Sequence, residues 1–261
     1  MSRKRRCKGL GFTISISIGF ILFLLIASCN FFGGGGFIKK YVCQTTAADE
    51  DFVDFGSMGS FTDSSDWSVI EKVKLPSVFS TPDRWHVFRG KAWEDKTGDL
   101  ALRLDEDQVY GWIYSGGWSD VNFDTTILRD EWYTICMQYD ASETTLELYV
   151  NGELKDSNLA VAAQDDSANS NKLFFGGQDL APAHPEGDLY HEADIVIAHH
   201  AWFQRLLSIE EIGNYDGTLS SLDTTDLFFA TDINDSGITD ASGNGHHGTI
   251  GNTPAFYLDD M

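Results

Sequence analysis

Apolar and polar residues alternate most clearly between residues 132 and 155. Two runs rich in β-branched and aromatic residues, 132–139 and 144–150, flank a polar link of four residues. This pattern is typical of a β-hairpin with a four-residue turn. The aliphatic residues of the second run fall at every other position, so one face of that strand is expected in the core and the other in contact with solvent.

The second run ends at Asn151-Gly152, and the chain resumes at Glu153. Asn-Gly is the pair that best tolerates positive φ at both central positions of a type I′ turn. The sequence therefore predicts a three-stranded antiparallel meander in this part of the chain.

Strand patterns also precede the meander, while a helix pattern follows it. The predicted strands are residues 52–55, 67–75, 85–90, 100–104 and 109–114. At Ser208-Ile209-Glu210-Glu211 the serine and the glutamate three positions later form the pattern of a capping box. We expect a helix of about two turns there, ending before Gly217.

Several segments together resemble the laminin-G-like, concanavalin A-like jelly rolls, a superfamily that includes pentraxins, legume lectins and many bacterial surface modules. The similar segments are Trp132-Tyr133, Tyr139-Asp140, residues 148–152, 174–177, 194–197 and 202–212, and the Asp-x-Ser-Gly-Asn-Gly loop at 240–245. The resemblance implies an all-β fold, a two-sheet antiparallel jelly-roll sandwich with one short helix near the C-terminal end. It implies no particular ligand.

The first 45 residues differ in composition from the rest. They begin with a basic stretch and continue without any charge from residue 9 to residue 38. Such a segment directs a chain to a membrane. Ile26-Ala27-Ser28-Cys29 fits a bacterial lipobox, in which Cys29 is acylated and the following glycines form a tether; alternatively, the apolar run is retained as a transmembrane anchor. We therefore predict a leader at 1–45 and the jelly-roll domain at 46–261.

Charge is strongly segregated along the chain. The whole sequence has a formal net charge of −22, yet residues 1–45 hold seven basic residues and no acidic one. The remainder has 11 basic and 40 acidic residues, a net charge of −29. Because nucleic-acid binding draws its affinity from basic surface, a nucleic-acid partner is not expected. Basic residues remain on the cytoplasmic side of a membrane, so the acidic domain is predicted to be membrane-anchored and extracytoplasmic, at the cell surface or outer membrane.

Aromatic residues cluster between positions 110 and 118. If Val109 and Ile113 face the core, alternation places Tyr110, Trp112 and Tyr114 together on the opposite face, and Trp118 follows shortly after. Sugar rings stack on Tyr and Trp, so these four residues are candidate ligand-binding residues. Two other interpretations stay open: the face packs under a loop, or the register is inverted and the rings belong to the core.

A loop rich in Asp, Asn, Ser and Gly spans residues 232–240. Oxygen ligands at alternate positions are typical of calcium sites, with Asp232, Asn234, Asp240 and Asn244 as the candidate ligands. The loop departs from an EF-hand because its twelfth position is Gly243, where a Glu belongs. An ordinary solvated turn has the same composition.

The sequence gives little support for catalysis. Some β-glucanases of the resembled fold have Glu-x-Asp-x-x-Glu, and the nearest match here is Glu192-Ala193-Asp194 with Ile197 in the last position. A retaining mechanism needs two carboxyl groups about 5 Å apart, so losing one of them removes the mechanism. Adjacent histidines such as His199-His200 point to opposite faces of a strand and do not chelate one metal ion as a pair.

These features predict a non-catalytic, membrane-anchored binding module for glycan, with calcium as an accessory ion. The alternative is a structural or adhesion protein of the surface that binds another protein, and a glycoside hydrolase is the third hypothesis. A disulfide between Cys43 and Cys136 is compatible with export, although the spacing does not require one.

Overall fold

The computed structural model describes residues 39–45, 51–58, 65–77, 86–90, 100–114, 117–162, 172–176, 194–251 and 253–261. Residues 1–38 of the predicted leader, including Cys29, lie outside these residues. Within the described ranges, no helix has the length and apolar character that a membrane crossing requires.

The described residues form antiparallel β-strands that we number in chain order. They are β1 (Lys39–Thr45), β2 (Phe52–Ser57), β3 (Trp67–Lys74), β4 (Val87–Gly90), β5 (Leu100–Leu104), β6 (Gln108–Tyr114), β7 (Trp118–Asp124), β8 (Tyr133–Asp140), β9 (Thr145–Val150), β10 (Glu153–Leu159), β11 (Lys172–Phe175), β12 (Ile195–Phe203), β13 (Leu227–Asn234), β14 (Gly237–Asp240), β15 (Thr249–Gly251) and β16 (Ala255–Asp260).

The strands assemble into two sheets, which confirms the predicted two-sheet sandwich. Sheet A has the order β10-β9-β8-β3-β12-β1-β16, and β13 also pairs with β12 and carries β14. Sheet B has the order β15-β2-β11-β4-β5-β6-β7. Neighbours in space are distant in sequence, as in β3 between β8 and β12, which is typical of jelly rolls.

The core lies between the two sheets and follows the alternation of the sequence. Val69 and Val73 of β3, Leu148 of β9, and Leu102 and Ile113 of sheet B are fully buried in one apolar cluster. Each fully buried aliphatic side chain of this size stabilises the fold by about 1.5–3 kcal/mol.

The meander at residues 132–155 forms as predicted. β8 pairs with β9 and β9 with β10 in antiparallel register. Asn151 and Gly152 have φ values of 51° and 81°, as a type I′ turn requires. Gly152 is also needed for space, since a Cβ there would lie 2.9 Å from the Cα of Gly213.

The expected solvent-facing side of β9 is covered instead. Helix α1 (Ile209–Asn214) has the predicted capping box between Ser208 and Glu211. Its Ile212 belongs to a second apolar cluster with Tyr149 of β9, which is only 9% exposed. The alternation within β9 shows which residues share a face, but it does not show whether another element packs on the outer face.

The sandwich begins earlier than the predicted boundary at residue 46. Strand β1 pairs with β12, with Cys43 opposite Ile197, and Cys43 lies in the core between the sheets. The basic pair Lys39-Lys40 made this segment similar in charge to the leader, whereas its alternation is that of a strand. The domain therefore includes residues 39–45.

The two described cysteines are free thiols. Cys43 belongs to the core cluster between the sheets, whereas Cys136 belongs to the cluster under α1 on the other face of sheet A. Strands β3 and β12 also separate β8 from β1. The two thiols are therefore not placed for a disulfide.

Candidate functional site

The four candidate ligand-binding residues occupy neighbouring positions on β6 and β7 of sheet B. Val109 and Ile113 of β6 are fully buried in the core, so the predicted register of this strand is confirmed and the inverted one is excluded. The pairing of β6 with β7 places Tyr114 opposite Trp118. We call the positions Tyr110, Trp112, Tyr114 and Trp118 the aromatic face.

Trp112 is less accessible than the sequence suggested. It lies outside the core cluster but is only 6% exposed, so its ring is covered on the outer side of sheet B. Tyr110 is intermediate in exposure. The open interpretation in which this face packs under other residues therefore holds for Trp112, because a strand pattern does not reveal what covers a face.

Charged residues surround Tyr110 in a defined arrangement. The pairing of β5 with β6 places Arg103 next to Tyr110, and Asp120 of β7 hydrogen-bonds with the Tyr110 hydroxyl. Burial, together with the charge of Asp120, raises the pKa of Tyr110. The hydroxyl therefore stays protonated and donates to Asp120, which fixes a carboxylate beside the ring.

Arg103 is paired within its own hairpin. Its Nε donates to Asp105 Oδ2 at 2.6 Å, and its Nη2 lies 2.6 Å from the same oxygen. The other oxygen of Asp105 accepts the backbone N–H groups of Asp107 and Gln108, each at 2.9 Å. Asp105 is 4% exposed, so the turn between β5 and β6 holds this carboxylate rigidly against the guanidinium.

The residues predicted to bind calcium lie on the hairpin of β13 and β14 and in the loop after it. Asp232 pairs with Thr239, while Thr231 pairs with Asp240. Because successive residues of a strand alternate between faces, Asp232 and Asp240 are on opposite faces of this hairpin. The hairpin thus does not bring the four predicted ligands together.

Each of three candidate calcium ligands has hydrogen-bond partners in the protein. Asp240 accepts backbone N–H groups from Ser242 and His246 at 2.8 and 3.1 Å. Asn234 accepts from Ser236, and Asn244 donates to the carbonyl of Phe228 at 2.7 Å. In the described part of the chain no three His, Cys, Asp or Glu side chains are grouped to hold a metal ion. Calcium binding stays a prediction.

A polar cluster that the sequence did not reveal connects the two sheets through the core. Glu71 of β3 is fully buried, and its carboxylate lies 2.6 Å from His86 Nε2 and 3.2 Å from His200 Nδ1. His86 precedes β4 in sheet B, whereas His200 belongs to β12 in sheet A. We call Glu71, His86 and His200 the inter-sheet network.

Fixed donors determine the protonation of the inter-sheet network. The backbone N–H of Leu104 donates to His86 Nδ1 at 3.1 Å, and the indole N–H of Trp202 donates to His200 Nε2. Each neutral ring therefore carries its proton on the nitrogen that faces Glu71. Burial favours the neutral acid, but the histidines outweigh it and lower the pKa of Glu71 to about 2. Glu71 is thus a buried carboxylate that accepts two hydrogen bonds.

The adjacent histidines separate as expected from their alternation. His200 joins the inter-sheet network, while His199 is buried on the other side of sheet A, where its Nδ1 lies within hydrogen-bond distance of the Tyr215 hydroxyl. Burial lowers the pKa of His199 to about 3 and also lowers that of His200. Both side chains are neutral at pH 7.

The segment similar to the glucanase motif is structural where it is described. Asp194 is 3% exposed at the start of β12, and Ile197 is fully buried in the core. Glu192 lies outside the described residues. The position where the motif has its last carboxylate therefore faces the apolar core.

Comparisons with solved structures show the same fold at low sequence identity. A heptameric SAP-like pentraxin of Limulus polyphemus aligns with a TM-score of 0.53 and 7% identity over 85% of this chain and 95% of its own. A candidate carbohydrate-binding protein of Bacteroides ovatus aligns with a TM-score of 0.57 and 13% identity, over 86% of this chain but 61% of its own.

A carbohydrate-binding module of the Ruminococcus gnavus IT-sialidase aligns with a TM-score of 0.50 and 12% identity over 69% of this chain and 99% of its own. No curated protein sequence matches the chain. A family model does match, over residues 47–213, which is more than half of the chain. The sequence pattern, the two-sheet sandwich and this match agree: the chain belongs to the Concanavalin A-like lectin/glucanases superfamily.

Proposed function

We propose that this protein is a non-catalytic carbohydrate-binding module whose ligand contacts the aromatic face. The observation that carries the proposal is the register of β6 and β7, which places Tyr114 opposite Trp118 and Trp112 opposite Asp120. Aromatic rings beside a hydrogen-bonding carboxylate such as Asp120 are a common way to hold a sugar, because the rings stack on the sugar and the carboxylate accepts hydrogen bonds from its hydroxyls. Trp112, which is covered, would pack beneath the ligand-contacting residues without contacting the sugar itself.

The similar structures support the proposal by analogy only. Among them are a carbohydrate-binding module of a sialidase and a candidate carbohydrate-binding protein. One sandwich fold serves many functions, so the site and not the fold must carry the conclusion. The proposal that the module is non-catalytic draws support from Ile197, which occupies the position of a carboxylate in the glucanase motif.

The direct test is binding of the full chain to immobilised glycans, with calcium and again with a chelator. We expect binding that Trp118→Ala weakens at least about tenfold, which corresponds to about 1.4 kcal/mol. The matched control is Leu128→Ala, which removes a side chain that is 57% exposed but lies outside β6 and β7. A folded protein that binds no glycan would reject the proposal and favour the alternative, a surface protein that binds another protein.

Calcium enters the proposal as an accessory ion. A site at the hairpin of β13 and β14 would use only part of the predicted set, since Asp232 and Asp240 lie on opposite faces. Binding lost in chelator and restored by calcium alone would support the ion. Binding unchanged in chelator would remove calcium from the proposal and leave the aromatic face.

We further propose that the leader places the domain outside the cytoplasm and anchors it to a membrane. The support is the charge-free segment from residue 9 to residue 38 behind a basic start. Mass spectrometry of the N-terminal peptide distinguishes an acylated Cys29 from an uncleaved leader. Cys29→Ala should abolish anchoring in the first case and leave it intact in the second.

A further inference from the structure

The charges around the aromatic face are strongly unequal. Strands β5, β6 and β7 contain a single basic residue, Arg103, whereas Asp120 and Asp124 lie on β7. A further carboxylate reaches this edge from β10, because Asp156 accepts the backbone N–H of Asn122 at 2.8 Å. The same strand also brings Lys155, whose Nζ lies 4.9 Å from the centre of the Phe123 ring and pairs with Glu153. Carboxylates therefore outnumber basic groups around this face.

Asp105 removes the attraction that Arg103 would otherwise offer to an anion. Both nitrogens Nε and Nη2 are directed to one oxygen of Asp105, and the other oxygen is held by two backbone N–H groups. The side chain of Arg103 is 16% exposed and that of Asp105 is 5% exposed, so solvent screens their attraction less than that of a surface pair. An anionic ligand would have to compete with this fixed carboxylate.

A neutral sugar would interact favourably with these carboxylates. Its hydroxyls donate to carboxylates such as Asp120, and hydrogen bonds to an ionised acceptor are stronger than those between neutral groups. A carboxylate, sulfate or phosphate on the sugar would instead be repelled by these carboxylates, because like charges at short range repel even near solvent.

We propose that the aromatic face selects uncharged sugars over anionic ones, and that Asp105 is the specificity-determining residue because it neutralises Arg103. This inference rests on the proposed function of the face and specifies the ligand class.

The test compares pairs of immobilised glycans that share a neutral core, one member ending in lactose and the other in sialyllactose. Binding of the full chain is measured at low and at physiological salt. We expect the neutral member to bind at least about tenfold more tightly, with a ratio that shrinks as salt screens the charges. Equal or tighter binding of the sialylated member would overturn the inference while leaving the glycan function in place.

The variant Asp105→Asn tests the residue itself. It keeps an oxygen for the two backbone N–H groups but removes the charge that holds Arg103, so the preference for the neutral member should fall about tenfold. Glu106→Gln is the matched control, because it removes one carboxylate in the same turn, but that carboxylate pairs with Arg129, which lies outside the three strands. An equal change in both variants would show that net charge, and not Asp105, sets the preference.

The double variant Arg103→Gln with Asp105→Asn tests whether Asp105 acts through Arg103. It removes the guanidinium as well, so the preference for the neutral member should return. If the preference stays lost, Arg103 is not the group that Asp105 controls, and the inference is wrong. If a folded protein binds neither member of any pair and also no other immobilised glycan, the proposed function is rejected together with this inference.

Discussion

The inter-sheet network and the aromatic face both combine aromatic rings with charged side chains, but solvent reaches only one of them. Glu71, His86 and His200 are at most 1% exposed, and the Leu104 and Trp202 donors saturate the two histidines. At the aromatic face Tyr110 is partly exposed, and Asp120 is also accessible. The first arrangement is complete without a ligand, whereas the second has polar groups that a ligand can use.

The difference teaches how to recognise a site in this fold. A buried carboxylate between two histidines is similar in composition to a catalytic or metal centre, and its perturbed pKa would attract attention. Its hydrogen bonds are nevertheless all internal and connect one sheet to the other. The network is best understood as a polar contact that fixes how the sheets face each other.

The largest expected loss of stability follows from a change in the inter-sheet network. Glu71→Ala leaves two buried ring N–H groups without acceptors, each costing about 1–3 kcal/mol, so we expect the free energy of unfolding to fall by about 4 kcal/mol. Urea denaturation followed by tryptophan fluorescence measures this. Glu143→Ala, in the exposed turn between β8 and β9, is the control and should change stability by less than about 0.5 kcal/mol. Equal midpoints for both variants would contradict the role of Glu71.

Trp112→Ala tests whether the aromatic face is part of the framework as well as a surface. Since Trp112 is only 6% exposed, we expect stability to fall by about 3 kcal/mol. Binding should be lost with it, even below the melting temperature of the variant. An unchanged melting temperature would mean that the ring is not packed and that the face is more open than the structure shows.

As the pH falls, the stability contributed by the buried histidines should be lost before that contributed by Glu71. His199 and His200 have folded pKa values below the ordinary 6.5, so the stability they contribute is present above pH 6.5 and is lost as the pH falls below it. Between pH 7.5 and 5.5 we expect a loss of at least about 1 kcal/mol, because His199, with its folded pKa of about 3, takes up a proton in this range only in the unfolded chain. Glu71, with its pKa of about 2, adds a further loss below pH 4.5.

The variant His200→Asn checks the assignment. It keeps an N–H directed at Glu71 but does not titrate, so it should reduce the loss measured between pH 7.5 and 5.5, and His199→Asn should reduce that loss as well. If the slope of unfolding free energy against pH is the same in both variants as in the parent, the two histidines are not its source.

The smallest effect is expected for Tyr110→Phe. This change removes the hydrogen bond to Asp120, but water can replace the hydroxyl at a partly exposed position, so we expect a loss of less than about 1 kcal/mol. Differential scanning calorimetry beside Glu71→Ala makes the comparison. A loss as large as that of Glu71→Ala would show that the aromatic face is as closed to solvent as the network.

The sequence predicted local structure well where the signal is short in range. Alternation gave β3, β5, β6 and β9, Asn151-Gly152 gave the type I′ turn, and Ser208 with Glu211 gave the helix start. It placed β1 in the leader, because the acidic composition that marks the domain begins only after residue 46. It also treated the outer side of Tyr149 as solvated, although α1 covers it.

The candidate site also has one part that the sequence predicts and another that depends on the tertiary structure. The side of β6 on which Tyr110 and Trp112 lie follows from a period of two, which is a property of the strand alone. That Asp105 holds Arg103 and that Asp120 reaches Tyr110 depends on how β5 and β7 pair with β6. The burial of Trp112 depends on what covers the sheet, and no local pattern encodes that.

The sequence by itself determined the all-β class, the meander, the helix start and the acidic character of the domain, because each follows from neighbouring residues or from composition. Only the tertiary structure decided that Glu71, His86 and His200 meet. They come from β3, the start of β4 and β12, and His200 follows Glu71 by 129 residues. Hydrogen bonds across such separations arise from the pairing order of the strands and from the stacking of the two sheets, which no single segment specifies.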